Sequence, residues 1–144
     1  MSAIWFKAYS LEEVNHIFKK YMTGFLQIRA TEITDNTLIA EMPITDMVRQ
    51  PFGILHGGAS VVLAESVGSV ASNLVVDSEH FAGVGMEINA NHLKSVSQGK
   101  VYASCSALHI GKKSHVWDIK IRNEAETLIC VSRLTVAIID RGSF

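Results

Sequence analysis

"QPFGILHGGASVVLAESVGS", running from Gln50 to Ser69, decides how the rest of the chain is read. Small and apolar residues dominate it, and that character continues to Val76. A run of this length and composition predicts one long helix over about 57–76. Ala59, Ser60, Ala64, Gly68, Ser69 and Ala71 are too many small residues for an exposed helix. They allow sheet or backbone to approach closely on more than one side. The apolar part is about long enough to cross a bilayer. However, Glu65, Ser69 and Asn73 recur along it at i, i+4 and i+8. A buried helix of a soluble protein is therefore expected, not a membrane span.

Working outward, Ser10-Leu-Glu-Glu13 has the form of a capping box. Leu11, Val14, Ile17, Phe18 and Tyr21 follow at helical spacing, so Ser10 to Met22 reads as a short amphipathic helix closed by Gly24. Phe25–Thr34 and Thr37–Ile44, joined by the turn at 34–36, read as a hairpin. Met47–Leu55 is a loop. Beyond the long helix come four strand-like runs, Phe81–Lys94, Lys100–Ile110, Ser114–Arg122 and Leu128–Ile139. One long helix set within a meander of strands predicts an α+β fold with the sheet wrapped around that helix.

The chain has 144 residues and 48% hydrophobic residues, which suits a single domain over 1–144 with a sizeable core. The formal net charge is −1, with no basic run of the kind that binds nucleic acid. "MSAIWFKAYS" lacks the basic and apolar regions of a secretory signal. Cys105 and Cys130 fit no metal spacing and read as free buried thiols, so a cytoplasmic protein is expected. The histidines make no H-x-x-x-H or similar pattern, and no metal or cofactor is expected.

Chemistry concentrates around the long helix. Gly57 opens it, where unpaired backbone N–H groups and the positive helix end can stabilise an oxygen gaining negative charge. Glu65 lies two turns further on among Val61, Val62, Leu63 and Val67. A carboxylate is rarely buried without a partner, so a functional group is the better reading than a solvated edge residue. Gln50 can donate to a carbonyl oxygen. His56 suits either proton work or helix capping. Gly57 and Glu65 are eight residues apart, roughly 12 Å along one helix. Glu65 thus cannot reach an atom held by the first amide of its own helix. Either the two features serve different purposes or a site combines Glu65 of one chain with Gly57 of another across a two-fold axis.

The Gln50–Ser72 block, with "VGMEINANHLKS" (residues 84–95) and "SRLTVAI" (residues 132–138), closely resembles the hotdog-fold acyl-CoA thioesterases of the PaaI-like group. Within that group it is most similar to bacterial enzymes that hydrolyse 1,4-dihydroxy-2-naphthoyl-CoA in menaquinone biosynthesis. The resemblance runs from about Trp5 to Ile139. It implies Glu65 as the catalytic carboxylate, acting as nucleophile or as general base on water. It implies that the Gly57 amide polarises the thioester carbonyl with help from Gln50. His56 would orient the thioester or assist the leaving sulfur, and Ser69 would position water or the acyl group. His92, Lys94, Ser95 and the turn Gly111–Lys112–Lys113 match positions near coenzyme A, although the "GKKSH" turn departs from the pattern. Dimers paired into homotetramers, with sites shared between two chains, are implied as well. Two alternatives are a thioesterase that clears aryl carrier proteins and a non-catalytic acyl-CoA binder.

Overall fold

The computed structural model describes residues 2–144. Six antiparallel strands form one sheet: β1 (Arg29–Ile33), β2 (Thr37–Pro43), β3 (Phe81–His92), β4 (Lys100–Ile110), β5 (Ser114–Asn123) and β6 (Leu128–Asp140). Their order across the sheet is β1-β2-β4-β5-β6-β3. The long helix α3 (Gly57–Val75) lies in the curve of this sheet. The architecture is the expected α+β hotdog.

Strand alternation explains how the helix is held. Leu38, Ala40 and Met42 of β2 are buried, as are Val101, Ala103 and Cys105 of β4. Trp117, Ile119 and Ile121 of β5 and Leu134 and Val136 of β6 join them. These residues sit at period-two spacing, so each strand gives one face to the core. Leu63, Ala64, Val67, Ala71 and Leu74 of α3 pack against that face. Gly68 is the point of closest approach: a side-chain carbon there would run into Leu134 and lie 3.3 Å from Ile119 Cδ1. Among the described residues, the one helix long and apolar enough to cross a membrane is this core helix, about half of it buried. Both cysteines are buried free thiols, as expected. Burial pushes the Cys105 thiol well above its ordinary value, and Asp118 adds to the effect.

The N-terminal region departs from the sequence reading. In place of one helix over Ser10–Met22 there are two, α1 (Leu11–Phe18) and α2 (Tyr21–Phe25). The capping box is present, with Ser10 Oγ accepting from the Glu13 N–H. The break falls at Tyr21, which adopts φ 56°, a left-handed conformation no helix interior tolerates. Ile17 and Tyr21 are consequently exposed, while Val14 and Phe18 are buried. Gly24 lies within α2, where its missing side chain leaves room for the Lys19 carbonyl. The first strand is shorter than expected, because Gln27 also takes a positive φ and delays the start of β1 to Arg29.

Candidate active site

Helix α3 begins where the sequence places it, and its first turn shows why. The His56 side chain is the N-cap: its Nδ1 accepts from the Gly58 N–H at 2.8 Å. That bond requires an unprotonated Nδ1, which places the ring proton of the neutral imidazole on Nε2. Of the two readings left open for His56, capping is what the chain displays. Among the described residues, the Gly57 N–H has no protein acceptor.

Gly57 lines a cleft of about 320 Å³ together with Gln50, Ser60, His92, Lys94 and Ser95. Ile54, Leu55, Leu93, Val96 and Ile129 supply its apolar surface. The segment before α3 is tied to its neighbours by backbone bonds: Leu55 N–H donates to the Val96 carbonyl of the loop after β3 at 2.8 Å, and His56 N–H donates to the Val48 carbonyl at 2.7 Å. Gln50 is held by the turn it begins, its side-chain oxygen accepting from the Phe52 N–H. The Gln50 amide nitrogen stays free of protein partners among the described residues. The His92 ring stands over Gly57 so closely that a Cβ at 57 would be 2.9 Å from its Nε2. Any side chain at 57 would displace that ring, which gives this glycine a positional reason. Ser60 and Ile54 belong to the cleft but carried no signal in the sequence, since a serine among alanines in a helix reads as packing.

Glu65 is not part of this cleft. It is half-buried on the flank of α3 beside β3. Among the described residues its carboxylate has neither an ion-pair partner nor a hydrogen bond. Gly85 lets the carboxylate take this position: a Cβ on residue 85 would meet Glu65 Oε2 and turn that end of the side chain aside. Ser69 lies one turn along the same flank, with its carbonyl accepting from Asn73 Nδ2 at 2.8 Å. Gly85 was missed by sequence reasoning, because a glycine in a strand next to a second glycine looks like a simple irregularity. The strand does slip its register between Gly85 and Glu87.

The remaining candidates divide. Gly111, Lys112 and Lys113 border a separate groove with Val75, Phe81 and Asp140 at the far end of α3. Within one chain they do not meet His92, Lys94 and Ser95. Asp77, Glu79 and His80 gather after the helix, with their ligand atoms within 4.8 Å of one another. Histidine spacing alone did not single them out. They are bound to each other, the His80 Nδ1 pairing with Asp77 Oδ2 at 2.8 Å. That bond raises the His80 pKa and lowers that of Asp77.

A six-stranded antiparallel sheet curved around one long helix is the hotdog fold. The model of the thioesterase superfamily matches residues 52–130, and the chain belongs to that family. Among its relatives is a 1,4-dihydroxy-2-naphthoyl-CoA hydrolase of Escherichia coli (strain K12). The two are 50% identical over 136 residues, covering 94% of this chain and 99% of the relative. The crystal structure of a mutant thioesterase from Pseudomonas aeruginosa superposes with a TM-score of 0.93 at 43% identity, covering 96% of this chain and 99% of that one. A thioesterase from Haemophilus influenzae gives 0.91 at 41% identity, with 95% of each chain covered.

Proposed function

We propose that this chain hydrolyses an aromatic acyl-CoA thioester, with 1,4-dihydroxy-2-naphthoyl-CoA as the leading substrate and menaquinone biosynthesis as its setting in the cytoplasm. The observation that carries the reading is the split of the chemical groups along α3. The Gln50–Gly57–His92 cleft offers hydrogen-bond donors but no carboxylate, while Glu65 offers an unpartnered carboxylate eight residues away. Two copies related by a two-fold axis bring each half to the other, so every dimer has two complete sites. The outer edge of β3 favours such pairing. It is 12 residues long, ends the sheet, and exposes Val84 and Met86. A long open edge of this kind is a template for a second strand. The homotetramer, as a dimer of dimers, extends the same reading.

In each site the thioester carbonyl oxygen accepts from the Gly57 N–H, at the positive end of the helix, with Gln50 donating beside it. The partner's carboxylate then acts on the carbonyl carbon in one of two ways. As nucleophile, Glu65 forms a mixed anhydride and releases the coenzyme A thiolate, and water opens the anhydride. As general base, it takes a proton from water that attacks directly. His56, with its Nε2 proton, faces the leaving-sulfur role. Ser69 positions water or the acyl group. Lys94 and Ser95 continue the cleft towards pantetheine, and Gly111–Lys113 of a neighbouring chain meet the nucleotide.

The test is thiol release over a panel of aromatic and aliphatic acyl groups, each presented both on coenzyme A and on a carrier protein. Fastest turnover on an aromatic acyl-CoA is expected. Faster turnover on the carrier protein would move the assignment to carrier clearance. Binding without thiol release would leave a non-catalytic acyl-CoA binder.

A further inference from the structure

Asn73 continues the flank of α3 that carries Glu65 and Ser69, at i+8 and i+4 respectively. Its side-chain amide is bound at three points. Nδ2 donates to the Ser69 carbonyl at 2.8 Å and to the Gly83 carbonyl at 3.0 Å, and Oδ1 accepts from the Gly83 N–H at 2.9 Å. Both donors of the amide are thus used.

The two Gly83 groups belong to the open edge of the sheet. Gly83 stands opposite Ile138 of β6, whose own N–H turns away to the Lys113 carbonyl at 2.9 Å. In an antiparallel ladder this is a non-bonded pair, so the N–H and C=O of Gly83 face outward from β6. The Asn73 amide imitates the peptide group of a further strand and closes that one position. The approach is tight: a Cβ on Gly83 would lie 3.0 Å from Ser72 Cβ and 3.1 Å from Val136 Cγ1. The opposite sheet edge has the same device, where Asn15 of α1 closes Ala30 of β1 with bonds of 2.9 and 2.7 Å.

Two residues beyond the clamp, β3 presents Gly85 to the Glu65 carboxylate. Displacement of β3 along the helix by one residue in either direction would set Val84 or Met86 there instead. We infer that Asn73 is a positioning residue for Glu65: by clamping Gly83 it fixes β3 along α3 so that the side-chain-free Gly85 meets the carboxylate. This rests on the proposed role of Glu65. It acts through β3, since Asn73 itself is engaged with backbone.

The test is a double-mutant cycle on Asn73→Ala and Gly85→Ala, with 1,4-dihydroxy-2-naphthoyl-CoA as the probe. Each single variant is expected to lose about tenfold or more in kcat with KM within about threefold, the signature of a displaced reacting group. The double variant should be no slower than the worse single one, because both changes disturb one placement. Asn73→Asp keeps the Oδ1 acceptor and loses both donations, so it should fall between, and it replaces Asn73→Ala in the cycle if the latter does not fold. A kcat within twofold of wild type for Asn73→Ala, or losses that multiply in the double variant, overturns the inference. Amide hydrogen exchange at Gly83 reads the clamp separately: slow in the wild type and at least about tenfold faster without Asn73. Equal rates reject the clamp. If the wild type does not hydrolyse this probe, the cycle is run on the fastest acyl-CoA of the panel; no hydrolysis of any of them rejects the functional reading instead, and the exchange rates still decide the clamp.

Discussion

Glu65 is defined by what it lacks. A carboxylate half-buried between helix and strand, with no cation and no donor among the described residues, gains nothing for the fold. Glu65→Gln is close in volume and removes only the charge. We expect it to abolish most turnover while thermal stability stays near wild type. A kcat within about tenfold of wild type, less than roughly 1.4 kcal/mol of barrier, would remove Glu65 from the chemistry. His115 shows the opposite use of a titratable group. It is buried, with Nδ1 2.9 Å from Ser72 Oγ, and that hydroxyl also accepts from Trp117 Nε1 at 2.7 Å. Burial depresses its pKa below the ordinary 6.5, and His109 adds to this, against the opposing pull of the Gly111 carbonyl. The folded state therefore resists protonation more than the unfolded chain does. The stability held above about pH 6.5 should be lost as pH falls towards the depressed value. Urea unfolding at pH 7.5 and 5.5 should show a smaller acid loss for His115→Gln than for wild type; equal losses would exclude this origin.

At the scale of elements, helix α3 and its partner strands were legible because burial on several sides leaves a strong trace of small residues. Strand ends were legible to within one or two residues at Lys100–Ile110, Ser114–Asn123 and Leu128–Asp140. The break between α1 and α2 was not. Helical spacing continues through Tyr21, and nothing in that spacing announces its left-handed backbone. The candidate site was legible at the helix, where the separation of Gly57 and Glu65 is fixed by about 1.5 Å per residue. It was illegible across β3, where Gly85 gains its meaning from a register slip and a facing side chain. Gly68 offers a direct check on the close packing of α3. Valine there recovers only part of glycine's helix penalty of about 1 kcal/mol, and it meets Leu134 and Ile119. A net loss of about 1–3 kcal/mol is expected in urea unfolding, as for other overpacked cores. An unchanged midpoint would mean the sheet can retreat from the helix.

On the scale of the whole molecule, the proposal depends on two copies. Take one chain bearing Glu65→Ala and another bearing Gln50→Ala, each nearly inactive as a homo-oligomer. If each site draws Glu65 from one chain and Gln50 with Gly57 from the other, a mixed dimer holds one intact site and one doubly defective site. Random pairing makes about half the dimers mixed, so specific activity should return to roughly a quarter of wild type. Dual-tagged, co-expressed material measures this. Mixed dimers no more active than either parent would place all the groups in one chain.

The two tryptophans divide the molecule into an outer and an inner optical reporter. Trp117 is wholly enclosed in the core, while Trp5 is half-buried in the strap of residues 3–9 that precedes α1, its Nε1 donating to the Thr34 carbonyl at 2.6 Å. The strap also ends the long helix, for the Phe6 N–H donates to the Leu74 carbonyl at 2.8 Å. Emission should therefore separate into a quencher-accessible part from Trp5 and a blue-shifted, shielded part from Trp117. Acrylamide quenching of Trp5→Phe should leave only the shielded part. Release of the strap and melting of the core would then be followed by light alone, each at its own wavelength, without a label on the chain.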